Sequence, residues 1–323
     1  MTSIEDSPVT YEQLADIERE FEDVETEILR QQYEMTRPLY EKRQALISQI
    51  PNFWPLVMEA SPPEIDEHIQ PLDSAVLLSS LVSISVRRFA IDDGGKGDPR
   101  CVAIRFEFTE NEYFEDKVLE KKFWYRYSDD YTGLVSEPVE IRWKEGKDLT
   151  DGLLAAVKKV WDEGDGPQPK KTGGKGKKEK APLTASQQAL KEKAESMGLG
   201  GISFFAWFGF IGARITEEES KANLAKEREQ IKLRLEGKEV PKDDEEEEDD
   251  EDDDFFDDDL EIFPEGDDLA QSIVLDLWPD ALKYYMQAQE QEQLASDMEI
   301  ESDEDENEGE GEGDERPPKK QKA

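Results

Sequence analysis

YEQLADIEREFEDVETEILRQQYEMTRPLYEKRQALISQI, Tyr11 to Ile50, decides how the rest of the chain is read. Leu14, Ile17, Phe21, Val24 and Ile28 recur at alternating spacings of three and four, and Met35 continues the series one heptad on. That period puts them on one seam of a long helix, the pattern of a coiled coil. A second apolar series, Leu29, Tyr33, Tyr40 and Ile47, turns toward a different surface as the first fades. A helix of about 40 residues is roughly 60 Å long. One domain cannot bury both sides of such a rod, so the seam predicts self-association. Pro38 removes a backbone donor within it and predicts either a kink or two helices meeting there.

Pro51 ends the helix, IPNFWPLV forms an apolar knot, and Ser61 to Leu81 reads as short helices broken by Pro62, Pro63 and Pro71. The period then becomes two. Val82, Ile84 and Val86 alternate with serines, and Val102, Ile104, Phe106 and Phe108 alternate across the turn-rich DDGGKGDP. Val118 to Tyr127 and Glu137 to Lys144, joined through SDDYTG, supply two further candidate strands. Four consecutive strands with short links predict an antiparallel meander in an α+β fold, one face covered by helices. The candidate covers are a helix over Leu149 to Trp161, the apolar SFFAWFGFIG, and Leu269 to Tyr285. Thr184 to Ser196 predicts a short helix, and Glu217 to Glu236 a charged one with sparse apolar positions.

Charge is distributed unevenly. The 323 residues include 81 acidic and 40 basic ones, a formal net charge of −41, but Asp243 to Glu315 alone holds 35 acidic residues and one basic. The acidity is an appendage to a nearly balanced domain, and it repels nucleic acid and anionic membrane. The matching partner is strongly basic, with histones first among candidates. A single cysteine, Cys101, fits a reducing compartment. No apolar run approaches the roughly 18 residues of a membrane span, and MTSIEDSPVT lacks the character of a leader peptide. The expectation is an intracellular, soluble protein with no membrane partner.

Catalytic and metal chemistries lack their parts. His68 is the sole histidine, so zinc sites and Cys-His or Ser-His catalysis have no constellation to draw on. The Asp-rich segments do not place glycine and glutamate as an EF-hand loop does, and no GxxxxGK[ST] stretch occurs. The sequence predicts no enzyme and no cofactor, with His68 and Cys101 structural.

Four stretches, in order, carry a resemblance. RPLYEKRQALI, Arg37 to Ile47, resembles the end of the dimerisation helix of nucleosome assembly proteins, proline included, and IPNFW, Ile50 to Trp54, resembles the start of the α/β domain in the SET branch. NEYFEDKVLEKKF, Asn111 to Phe123, is similar to the family's strand-turn-strand signature, and EIRWKEGKDLT, Glu140 to Thr150, to the SET segment that follows it. SFFAWF and DLWPDALKYY resemble paired C-terminal motifs that bracket an insertion.

The resemblance covers residues 10–160 and 200–286. It implies a nuclear histone chaperone, with shuttling through the cytoplasm as a further expectation. Its architecture would be a homodimer whose long helices pair antiparallel and carry α/β "earmuff" domains at their ends. Core histones would meet the lower earmuff surface with help from acidic segments, and DNA only through histones. The resemblance also carries an alternative, a regulator that inhibits a phosphatase or histone acetylation; a plain tethering adaptor is the other rival. The family's acidic pair before the last helix falls on Asp267 and Asp268. Hydroxyl residues that some members place in the SFF-x-WF-x motif are replaced by Ala206 and Gly209, which removes two hydrogen-bonding groups.

In DDEEEEDDEDDDFFDDD, Asp243 to Asp259, 15 of 17 residues are acidic. An extended chain advances about 3.3 to 3.6 Å per residue, so the run approximates the line charge of one DNA strand, about one charge per 3.4 Å. Each exposed ion pair is weak, about 0 to 1 kcal/mol, and useful affinity comes from many acting together. Phe255 and Phe256 interrupt the run. Either they anchor in an apolar histone pocket while Asp252, Asp253, Asp254, Asp257 and Asp258 meet its cations, or they begin the segment that packs with Leu260, Ile262 and Phe263.

The basic loop with Lys170, Lys171, Lys175, Lys177, Lys178 and Lys180, and the PPKKQK stretch with Lys319 and Lys320, are candidate nuclear-import signals. The loop's other readings are a DNA contact, a partner for the acidic run, or a merely soluble connection. Ser296 and Ser302 precede acids as targets of an acid-directed kinase do. The expected organisation is a flexible N-terminus (1–10), the dimerisation helix (11–50) and an earmuff domain (51–286). A basic loop (162–182) and an acidic insertion (237–266) interrupt that domain, and a disordered acidic tail with a basic end (287–323) follows it.

Overall fold

The computed structural model describes residues 9–165, 183–196, 201–236, 238 and 260–308. Helix α1 spans Tyr11–Ile47 with Pro38 inside it, so the continuous helix, not two meeting helices, is adopted. Thr10 starts it with a reciprocal cap, Gln13 N donating to Thr10 Oγ1 at 3.3 Å and Thr10 N to Gln13 Oε1 at 3.1 Å. The two apolar series separate as their spacing implies. Leu14, Ile17, Phe21, Val24, Ile28 and Met35 are exposed, whereas Leu29, Tyr33 and Tyr40 are half-buried and Ile47 is buried against the chain's own α/β domain. Tyr40 packs on Trp278 with ring centroids 4.1 Å apart, and the Tyr33 hydroxyl donates to Asp92 Oδ1 at 2.7 Å.

Three short helices follow, α2 (Phe53–Glu59), α3 (Pro63–Asp66) and α4 (Pro71–Ser80), the last two each carrying a proline in the first turn where its missing donor costs nothing. The sheet is a meander of four antiparallel strands, β1 (Leu81–Arg87), β2 (Val102–Phe108), β3 (Val118–Tyr127) and β4 (Thr132–Ser136), in sequence order. Ile104, Phe106, Leu119 and Phe123 lie on the covered face. Helices α5 (Leu153–Val160) and α6 (Ala185–Ser196) pack on each other. Phe204–Gly209, a tight 3-10 turn that is wholly buried, lays its aromatic rings against Phe106, Phe114 and Phe123.

One expected strand is displaced. Glu137 to Lys144 forms no ladder beyond a single bridge between Phe114 and Trp143, and the fourth strand is Thr132–Ser136, which begins in the last two residues of SDDYTG and ends just before the expected strand. Pro138 supplies the reason, since it has no N–H to give a ladder. The backbone there is satisfied otherwise, Val139 N donating to Phe208 O at 2.8 Å and Arg142 N to Asp116 Oδ2 at 2.7 Å.

Helix α7 (Glu217–Leu235) opens with a Thr216–Glu219 capping box and lies against α1 and the end of β3. The Ser220 hydroxyl accepts from Tyr127 N at 3.0 Å, Arg19 pairs with Glu227, and Arg228 pairs with Asp23 at 2.8 Å. After residue 260 come α8 (Gly266–Ser272), a wider turn at Ile273–Leu277, and α9 (Ala281–Glu308), which packs on α2. Helix α9 runs far past Met286, where the sequence suggests that core character ends.

Candidate functional site

The chain returns from the acidic run directly into the core. Leu260, Ile262 and Phe263 are buried, and the Trp207 indole donates to Gly266 O at 2.7 Å. A Cβ at Gly266 would lie 2.3 Å from Phe210 Cγ, so only glycine lets the backbone approach that ring. Between the buried side chains, Glu261 accepts from three backbone amides: Ile211 and Gly212, each at 2.9 Å, and Phe263 at 3.0 Å. Burial raises its carboxyl above the usual range, and the three donors oppose that rise.

Lys121 explains what this carboxylate faces. It occupies an inward position of β3, between Leu119 and Phe123, and is fully buried. Its ammonium donates to the carbonyls of Phe210 at 2.9 Å and of Glu137 and Phe208 at 3.1 Å. Burial pulls its pKa down to about 7, opposed first by the charge of Glu261 and then by Glu137. One lysine thereby ties together the strand, the segment after β4 and the SFFAWFGF turn. Asp73 performs the matching task at the opposite end of that turn. It is buried and accepts from the Ser203 hydroxyl at 2.6 Å, Phe204 N at 2.7 Å and Gln70 N at 3.0 Å.

These anchors position the acidic pair. Asp267 and Asp268 stand in the first turn of α8, where a helix N-terminus favours negative charge. Asp267 is half-buried and Asp268 exposed. Burial, then the charge of Asp268, pushes the Asp267 carboxyl up. The pair lies within electrostatic reach of Tyr131 in the β3–β4 turn, whose hydroxyl donates to Leu134 O at 3.0 Å and is raised by burial, then by Asp267, Glu261 and Asp268. The same turn exposes Asp129 and Asp130, and Glu265 is exposed just before α8. Two separated elements thus present carboxylates at one end of the sheet, an arrangement suited to meeting cations.

Asp252, Asp253, Asp254, Phe255, Phe256, Asp257 and Asp258 lie outside the described residues, as do Lys170, Lys171, Lys175, Lys177, Lys178, Lys180, Lys319 and Lys320. Ala206 and Gly209 are not surface positions. Ala206 is fully buried, and a Cβ on Gly209 would lie 2.7 Å from Ile262 Cδ1, so the hydroxyls missing here would face the interior. His68 stacks near Phe263 with centroids 5.0 Å apart, and the buried Cys101 sulfur accepts from Tyr125 N at 3.4 Å. Among the described residues no group of three or more His, Cys, Asp or Glu side chains is arranged to hold a metal, and no helix is long and apolar enough to cross a membrane.

A family model described as nucleosome assembly protein matches residues 47–288. A putative nucleosome assembly protein of Schizosaccharomyces pombe is 40% identical over 150 residues, 43% of this chain and 59% of that protein. Protein SET of Drosophila melanogaster is 34% identical over 125 residues, 37% of this chain and 43% of that protein. The chain therefore spans only about half the length of these relatives. Among solved structures, that of a Ccp1 mutant superposes with a TM-score of 0.50 at 26% identity, covering 87% of this chain and 96% of the other. Vps75 shares the fold with a TM-score of 0.51 at 22% identity, covering 85% and 96%.

Proposed function

This chain belongs to the nucleosome assembly protein family, and from that membership we propose that it is a histone chaperone: it binds core histones, shields them, and promotes their assembly onto DNA and removal from it without ATP. The observation that carries this reading is the placement of Asp267 and Asp268 beside the β3–β4 turn, shortly after a 15-carboxylate run. Histones are basic, and an array of weak, exposed ion pairs holds them reversibly; many such contacts sum to useful affinity while still yielding the histone to the nucleosome.

In this reading Asp267 and Asp268 provide a fixed part of the surface, and Asp252 to Asp254, Asp257 and Asp258, with Phe255 and Phe256, provide a tethered part. Dimerisation runs through the exposed seam of Leu14, Ile17, Phe21, Val24, Ile28 and Met35, and the lysine clusters direct the protein to the nucleus.

Binding of core histones across a salt series, together with supercoiling of a relaxed plasmid, tests the proposal. Salt-sensitive binding with ATP-independent supercoiling is expected. Histone binding without deposition would favour a regulatory role, and no salt-sensitive histone binding would overturn the proposal.

A further inference from the structure

The outer face of the sheet differs in chemistry from the rest of this acidic chain. Successive residues of a strand point to opposite faces. With Ile84, Val86, Ile104, Phe106, Leu119 and Phe123 turned to the core, Arg87 of β1, Arg105 and Glu107 of β2, and Glu120, Lys122 and Trp124 of β3 fall on the other side. The register sets Arg87, Ala103 and Lys122 side by side and Arg105 next to Glu120. The side chains of Arg87, Arg105 and Lys122 are all about half-exposed.

The anions beside these cations are shared. Glu120 serves both Arg87, at 3.7 Å, and Lys122, at 3.8 Å. Asp92 serves Arg87 at 3.9 Å and Arg37 of α1 at 3.8 Å, and Glu107 pairs more closely with Arg105, at 3.0 Å. These four cations thus divide three carboxylates, in a chain whose net charge is −41. At one margin the face becomes aromatic. Trp124 and Phe89 are half-buried and meet edge to face with centroids 5.8 Å apart, and Lys122 Nζ lies 5.7 Å from the Phe89 centroid. A ligand that fits brings carboxylates for the cations and an aromatic group for Trp124 and Phe89.

The chain owns such a segment in DDEEEEDDEDDDFFDDD, residues 243–259. Residues 236–259 join α7, which lies against β3, to the buried Leu260. Glu261 accepts from Ile211 N and Gly212 N, and Ile211 O accepts from Ser136 N at 2.7 Å, so the chain re-enters the core beside β4, the edge strand next to β3. Phe255 and Phe256 precede Leu260 by five and four residues, a reach of up to about 13 to 18 Å. Strands lie about 4.8 Å apart, so that reach is enough to pass around β4 to Trp124. Tethering also gives the run an effective concentration in the millimolar range, whereas the charge on the chain repels free polyanions.

We propose that the acidic run docks on the outer face of its own chain's sheet, with Phe255 and Phe256 against Trp124 and Phe89 and its carboxylates on Arg87, Arg105 and Lys122. The docking needs no histone. Its consequence, that a histone must take the run from this face, rests on the histone reading proposed above.

Carbodiimide coupling of the unmodified full chain, without histone, tests the docking, because it joins a lysine ammonium to a carboxylate in direct contact. A bond from Lys122 to a carboxylate of residues 243–259 is expected at low salt, in a product of monomer size on a denaturing gel, and is lost at about 1 M salt. The ion pair of Lys158 with Asp162 is the positive control. Coupling at Lys158 without coupling of Lys122 to the run overturns the docking, and coupling of Lys122 to the run solely in a dimer-sized product assigns the face to a second copy's run and overturns the occupant named. Independently, an aspartate-specific protease should cut residues 243–259 on the order of tenfold faster in Arg105→Glu with Lys122→Glu than in wild type, the worth of a few weak ion pairs together, with cleavage at Asp314 as internal reference. Phe255→Ser with Phe256→Ser, which leaves the face intact, should speed the same cleavage, and rates equal to wild type in both variants overturn the docking.

Discussion

Glu261 and Lys121 lie within electrostatic reach of one another, a carboxylate just after the acidic run and a fully buried ammonium on the third strand, each held by three backbone partners. The acidic run is therefore attached by an electrostatic anchor as well as by apolar side chains. Glu261→Ala leaves three amides without an acceptor and Lys121 without its strongest opposite charge. The expected loss is about 3 kcal/mol, read from denaturant midpoints, and an unchanged midpoint would show the anchor to be idle.

Lys121 also predicts a pH dependence. Its pKa in the fold is about 7, below the ordinary lysine value, so above pH 7 the folded chain holds fewer protons than the unfolded one. Stability attributable to this group rises with pH through that window, from about 7 toward about 10.4. In Lys121→Met that contribution disappears. Chemical unfolding at pH 7 and pH 9 should show wild type gaining on the variant, and parallel behaviour would contradict it.

Asp73 is the second buried anchor. Asp73→Ala removes the acceptor for Ser203, Phe204 and Gln70 at once. A loss of about 2 to 4 kcal/mol is expected from the unpaired buried donors. Near-UV circular dichroism should weaken with it, because the rings of Phe204–Gly209 lose their fixed attachment.

Ala206→Ser and Gly209→Ser introduce the hydroxyls that the resemblance implies for some members at these positions, yet both positions are interior. The new Cβ at Gly209 presses on the ends of Ile262 and Leu154, so Gly209→Ser should cost about 1 kcal/mol or more. Histone affinity should stay as it is in both variants. A gain in affinity would mean that this turn opens to the surface when histone binds.

Arg19 and Glu227 join α7 to the long helix, with Tyr127 beneath the guanidinium at 5.6 Å. A double-mutant cycle with Arg19→Ala and Glu227→Ala should give a coupling of about 0.5 to 1 kcal/mol that shrinks as salt is added. No coupling would mean that α7 is held on α1 without this pair, by Arg228–Asp23 and by its contact with β3.

Local periodicity made the long helix, its two apolar series and three of the four strands legible, because those signals do not depend on what lies opposite. It failed at Glu137 to Lys144, where alternation resembles a strand but Pro138 denies the ladder its donor. The buried charges were half legible. Lys121 holds an inward position by parity with Leu119 and Phe123, and Asp73 sits where a capping residue belongs. Their remaining partners come from segments roughly 90 to 130 residues away, which no local pattern reveals. Asp267 and Asp268 are two acids among 81, and only the resemblance singled them out.

Because the chain leaves α7 after Leu235 and re-enters the core at Leu260, the acidic run has the fold on both sides of it. Residues from Leu260 to Ala288 supply part of the same core that β1 to β4 build. Proteolysis anywhere between Glu236 and Leu260 would therefore yield a nicked protein whose two fragments remain together without a covalent link. Separately produced fragments ending and beginning there should complement one another, like halves of a split reporter. The charge carried by the run could then be exchanged or lengthened as a cassette, with the scaffold left as it is.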